Sequence, residues 1–214
     1  LSGPYAASTF SVSGATTRGG ATTTSTSGNL SLGTVGGARA LTLSGASVAL
    51  GAANIAGLTA SGSALTTTGV TTSGAQSYSG PVTLAGAYSA SAFNVNGVAT
   101  LAGATTIDAT GDIGLGTTSG AYALTLDGDD IALGTASLAS LAATGASIAT
   151  SGVTSTGSQT YAGALTLKGT YGASSFSVNG ATRLVGATGI TARGNLALGA
   201  VAGAQSLTLN GATV

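Results

Sequence analysis

The stretch GPYAASTFSVSG at Gly3–Gly14 returns as GAYSASAFNVNG at Gly86–Gly97 and as GTYGASSFSVNG at Gly169–Gly180. Phe10, Phe93 and Phe176 are spaced 83 residues apart each time (93 − 10 = 176 − 93 = 83). The spacing holds elsewhere without insertion. Leu41, Leu124 and Leu207 are in step, as are Leu43, Leu126 and Leu209. A long exact period marks a repeat architecture before any single element is assigned. The chain, 214 residues long, holds about 2.6 copies (214/83). It opens at LSG, the equivalent of LAG at Leu84 and LKG at Leu167, and ends at the equivalent of Val48 and Ile131. We therefore expect one continuous unit over residues 1–214, a segment of something longer, cut within a repeat at both ends.

Within the copy, LTL, VTL, FSV, FNV and NLSL alternate apolar with polar residues at period two, the mark of strands. Gly, Asn, Ser and Asp fall between them every few residues, which is turn chemistry. Gly numbers 37, a density that helices do not tolerate. The corner after LTL reads Ser44-Gly45, Asp127-Gly128 and Asn210-Gly211; the invariant Gly is expected at positive φ. Strand centres near Leu84, Leu101, Leu126, Ile148 and Leu167 divide one copy into about four coils of about 21 residues, as in a parallel β-solenoid. The expected class is all-β, with Leu41, Leu43, Leu124, Leu126, Leu207 and Leu209 inward. A membrane barrel would need aromatic girdles, and aromatics are only 4%.

Composition excludes much chemistry. There is no Cys, Met, Trp or His, and charged residues are 5% with zero net charge. Thiol catalysis, disulfides and cysteine metal sites are ruled out, and no basic surface invites nucleic acid. At 43% apolar the chain can bury a core, unlike a disordered polar tract. Ser, Thr and Gly interrupt every apolar run before it reaches membrane-spanning length.

GAQSYSGPVTLAG at Gly74–Gly86 and GSQTYAGALTLKG at Gly157–Gly169 resemble the Q-x-Y-x-G-x-v-T-L repeats of large bacterial surface proteins, the filamentous-haemagglutinin-like adhesins and autotransporter passenger regions. That resemblance implies a right-handed parallel β-helix, export to the bacterial cell surface, and a stalk or adhesive role. It carries over no catalytic residue. The partners it implies are sister copies, end to end or side by side, and host or cell-surface glycans.

The five acids, Asp108, Asp112, Asp127, Asp129 and Asp130, all lie in the middle copy. Parallel β-helices host polysaccharide-processing enzymes that use paired carboxylates. Here Asp129 and Asp130 are neighbours on a strand and face opposite ways, and their equivalents are Ala46 and Ser47, or Ala212 and Thr213. We expect no enzyme and no cofactor. Asp127, Asp129 and Asp130 are the one candidate Ca²⁺ corner. The recurring tyrosines, Tyr5, Tyr88 and Tyr171 with Tyr78 and Tyr161, could stack sugars, but a core wedge with a bonded hydroxyl is the better expectation. Tyr122, equivalent to Arg39 and Gln205, should face solvent. Arg18 replaces Leu101 and Leu184; either its strand end frays, or its stem lies on apolar surface with the head in water. Threonine runs such as TTTST at Thr22 raise ice binding, although they do not recur at the 83-residue spacing. The sequence thus points first to a structural or adhesive solenoid, then to an ice-binding or surface-lattice solenoid, and third to a polysaccharide-processing enzyme.

Overall fold

The computed structural model describes all residues, Leu1–Val214. It holds 27 strands and no helix, so no helix is long and apolar enough to cross a membrane. All strand pairing is parallel and joins each strand to one in the next coil (for example Leu41 to Leu58). The chain is a β-solenoid of about twelve turns.

The registers thread into three ladders, one per face. On face A, the inward column runs Thr22, Leu41, Leu58, Gln76, Phe93, Ile113, Ile131, Ile148, Leu165 and Thr182. On face B, Val35 stacks on Ala53 and Ala53 on Val70. Further along the same face, Thr105 stacks on Leu124, Leu141, Gln159 and Phe176. Face C carries Leu30, Val48, Leu65, Val82, Ala99, Thr118, Ala136 and Val153. Successive inward residues on each face meet in one hydrophobic column of 45 buried residues. Each coil buries its apolar side only because coils above and below cover it. Leu41, Leu43, Leu124 and Leu126 are at most 1% exposed, whereas Leu207 and Leu209, in the last coil, are partly buried against the column.

The coil is shorter than the sequence suggested. Its steps run from 17 residues (Leu41 to Leu58) to 20 (Phe93 to Ile113), not about 21. The cause lies in strands of two residues, Thr16–Thr17 and Thr118–Ser119. These carry too little apolar signal to register as strands beside Gly and Ser.

One copy is consequently not a whole number of coils. Four coils after Leu41 the chain reaches Ile113 on the same face, 72 residues on (113 − 41), and the fifth reaches Ile131. Leu124, the 83-residue equivalent of Leu41, instead stacks between Thr105 and Leu141 on face B. The same step carries Ala53 of face B to Ala136 of face C, and Leu65 of face C to Ile148 of face A. Each copy is four and two-thirds coils, and the next begins one face round.

The expected positive φ at Gly45, Gly128 and Gly211 is also not found. Space explains those glycines: a Cβ on Gly45 would meet Thr26 Oγ1 at 2.5 Å, and one on Gly128 would meet Ile113 Cδ1 at 2.9 Å. The left-handed backbone sits at other recurring corners. At Gly163 φ is +143°, and a Cβ would lie 1.8 Å from the Gly145 carbonyl oxygen of the preceding coil. Only glycine permits both that dihedral and that approach.

Candidate functional site

The Q-x-Y motif is an internal clamp. Gln76 and Tyr78 alternate inward on strand Gln76–Ser79, and neither has measurable exposure. Gln76 Nε2 donates to the carbonyl oxygens of Val70 at 2.8 Å and Ser89 at 2.9 Å, and lies 3.3 Å from Thr72 Oγ1. Its Oε1 accepts the Tyr78 hydroxyl at 2.9 Å. Gln159 repeats this with Val153 and Gly172, both at 2.9 Å, and accepts from Tyr161 at 3.0 Å. Sequence reasoning singled out this motif without placing its amide inside; the signal that marks it is Gln at an alternating inward position followed by an inward Tyr.

The tyrosines belong to the core. Phe93 packs between Tyr78 (5.3 Å between ring centroids) and Tyr88 (5.5 Å), and Phe176 likewise between Tyr161 and Tyr171. Tyr88 donates to the Thr67 carbonyl at 2.7 Å, and the Tyr171 hydroxyl lies 2.7 Å from Thr150 Oγ1. Burial pushes the phenols of Tyr78, Tyr88, Tyr161 and Tyr171 above their usual range by penalising the charged form. Hydrogen bonds at Tyr88 and Tyr171 offset part of that rise. With rings and hydroxyls engaged inside, these four offer no stacking platform. Tyr122 faces solvent, 44% exposed.

Arg18 lies just past the end of the two-residue strand Thr16–Thr17, and the expectation of a head in water is not met. It is 4% exposed, and its head is inside rather than in water. Its guanidinium donates to the Ala40 carbonyl at 2.6 Å and to those of Gly37 and Arg39, while Nε has no partner. The register shifts between Gly37 and Ala40, and the bulge turns these carbonyls onto the arginine. Desolvation lowers its pKa from the ordinary value.

All five acids gather at the corner between faces B and A on two adjacent coils, and all are exposed. Asp108 and Asp127 pair in register near the ends of face B strands. Asp112 and Asp130 stand just before the inward Ile113 and Ile131 of face A, which pair with each other. Asp129 lies between them in the Asp127–Asp130 corner. No three of these carboxylates, Asp127, Asp129 and Asp130 included, converge to hold a metal ion.

The hydroxyl ranks hidden at the 83-residue spacing emerge at the coil spacing. On face A, Thr23, Thr42, Thr59, Ser77 and Asn94 are register partners in turn. A second rank, two residues along each strand, reads Ser25, Ser44, Ser61, Ser79 and Asn96. These ten short polar side chains form a two-rank grid with steps of about 4.8 Å along the axis and about 6.6 Å along the strand.

No family model, no curated protein and no solved structure matches the chain.

Proposed function

We propose that the chain is a stalk or adhesive filament segment of a long exported bacterial surface protein, non-enzymatic, wound right-handed as the resemblance implies. The observation that carries this is the unbroken inward column of 45 buried residues, which runs through the stacked parallel coils. Such a column transmits load along its axis through backbone hydrogen bonds in every coil. Length is then set by copy number alone. The surface is short and neutral, made of Ser, Thr, Asn and Ala, and suits contact with glycans or sister filaments. An antibody against this segment should label intact source cells, and electron micrographs of the isolated chain should show straight rods about 58 Å long, twelve coils at about 4.8 Å. Labelling confined to lysed cells would overturn the surface role.

The two-rank grid on face A favours a second reading, a surface-lattice protein whose hydroxyls match ordered water or a crystalline solid. Thermal hysteresis that disappears on Thr59→Tyr would establish it. An absence of hysteresis and of recrystallisation inhibition would remove it. The enzymatic alternative has a direct check in a turnover screen on uronate polymers.

A further inference from the structure

Beyond Asn96 the outward side of face A changes character. One residue per coil, it reads Gly114, Ala132, Ala149, Thr166 and Arg183. Two residues along the chain from them stand Gly116, Gly134, Ser151, Lys168 and Val185. Shallow depressions follow one another along this strip and share Ala132 and Thr166. The first is bordered by Asp112 and Asp130, the last by Arg183. Acid and small residues thus occupy one end, and base and larger residues the other. The coil of Ala149 is the midpoint, two coils from Gly114 and two from Arg183.

We propose that this strip is a self-pairing surface, on which a second copy of the chain lies antiparallel about a two-fold axis through the coil of Ala149. The axis runs along the strand direction, so each coil faces the one equally far on the other side of the midpoint. Gly114 then lies opposite Arg183 of the second copy, and Gly116 opposite Val185. Ala132 meets Thr166, and Gly134 meets Lys168. Each pairing sets a larger side chain over a Gly or Ala, and each occurs twice, as an isologous interface requires. Ala149 and Ser151 meet their own equivalents. Asp112 stands two residues from Gly114 along the strand, about 6.6 Å, within reach of the Arg183 guanidinium that covers Gly114. Val185, 45% exposed in the single chain, is covered. A parallel pairing about the same line of residues sets Arg183 against Arg183, which like-charge repulsion disfavours. Five coils span about 24 Å, so one such strip is small beside a standard interface and the pair is a weak one.

The pairing rests on the filament reading only in taking a sister chain as the occupant. Since the chain has no cysteine, Ala149→Cys introduces the sole thiol, on the axis. Under a mild oxidant it should form disulfide dimers at least about tenfold faster than Ala142→Cys, an exposed position on face B, because pairing raises the effective thiol concentration. Adding Arg183→Asp should abolish that advantage, and adding Asp112→Arg as well should restore it. High salt should slow the reaction without touching the face B control. Equal rates for the two cysteine variants, or no response to charge reversal and salt, overturn the pairing. Rods that persist in micrographs under that outcome leave the stalk reading standing.

Discussion

Tyr78 donates its hydroxyl proton to Gln76 Oε1, two residues back on the same strand, at 2.9 Å. The bond fixes the amide orientation, so Nε2 must point at the carbonyls of Val70 and Ser89. One side chain thereby joins carbonyls of two coils. Gln76→Ala removes these bonds, takes the acceptor from the Tyr78 phenol in a dry interior, and leaves the Ser89 carbonyl with the longer bond from Thr72 Oγ1 at 3.4 Å. Each such group costs about 1–3 kcal/mol, so a loss of roughly 2–4 kcal/mol is expected. The shift in denaturation midpoint by urea measures it, and Gln159→Ala should match.

Alkaline pH should unfold the protein cooperatively. The pKa values of Tyr78, Tyr88, Tyr161 and Tyr171 are raised in the fold. The neutral form is therefore favoured in the native state, and its stabilisation is complete below the unfolded phenol pKa of about 10 and lost as pH rises above it. Stability should change little between about pH 6 and 9 and fall steeply beyond about 10. Absorbance at 295 nm should show these phenols ionising in the same transition that abolishes the β-sheet circular dichroism signal.

Thr24 is 1% exposed and its hydroxyl has no partner, while its equivalents in the other copies are Ile107 and Ile190. Thr24→Ile should add about 1 kcal/mol, by removing the buried unpaired hydroxyl and filling the site with apolar volume. A drop in melting temperature would show that the oxygen is satisfied by internal water.

Gly163→Ala should be among the most damaging single-methyl changes in the chain, given its φ of +143° and the 1.8 Å approach to a carbonyl oxygen. A loss above about 3 kcal/mol is expected, from strain and forced separation of two coils. Gly189→Ala, with nothing within 4 Å of the added carbon, serves as the matched control and should be close to neutral.

Replacing Asp127, Asp129 and Asp130 together by Asn should leave stability within about 0.5 kcal/mol, as for exposed positions generally. Relief of the Asp108–Asp127 opposition should make the change slightly favourable at low salt. Added Ca²⁺ should leave the melting temperature of both proteins unchanged. A calcium-dependent rise confined to the parent chain would instead establish the corner as a metal site.

The fold was legible because alternation and turn residues are local signals, repeated many times. Leu41, Leu43, Leu124 and Leu126 needed only period two to be placed inward. The coil length was not legible, because strands such as Thr118–Ser119 have no apolar residue to announce them, and because an 83-residue copy was assumed to close on itself. That assumption concealed the threonine ranks: Thr23, Thr42 and Thr59 are neighbours by coil, not by copy. Arg18 was misplaced for a different reason. Its carbonyl partners come from a bulge between Gly37 and Ala40, and no sequence pattern marks that bulge. Of the surface features, the acids were visible as a cluster, but their gathering at one corner depends on Asp108 and Asp127 being one coil apart.

The four and two-thirds coils of each copy govern how the rod meets a flat target. A feature carried by every copy advances about 22 Å along the axis per copy and turns to a new side each time. A planar surface, such as a neighbouring cell envelope, can therefore touch only every third occurrence, about 67 Å apart over fourteen coils. Multivalent grip on one plane would grow with a third of the copies, while soluble ligands arriving from all directions would find every one.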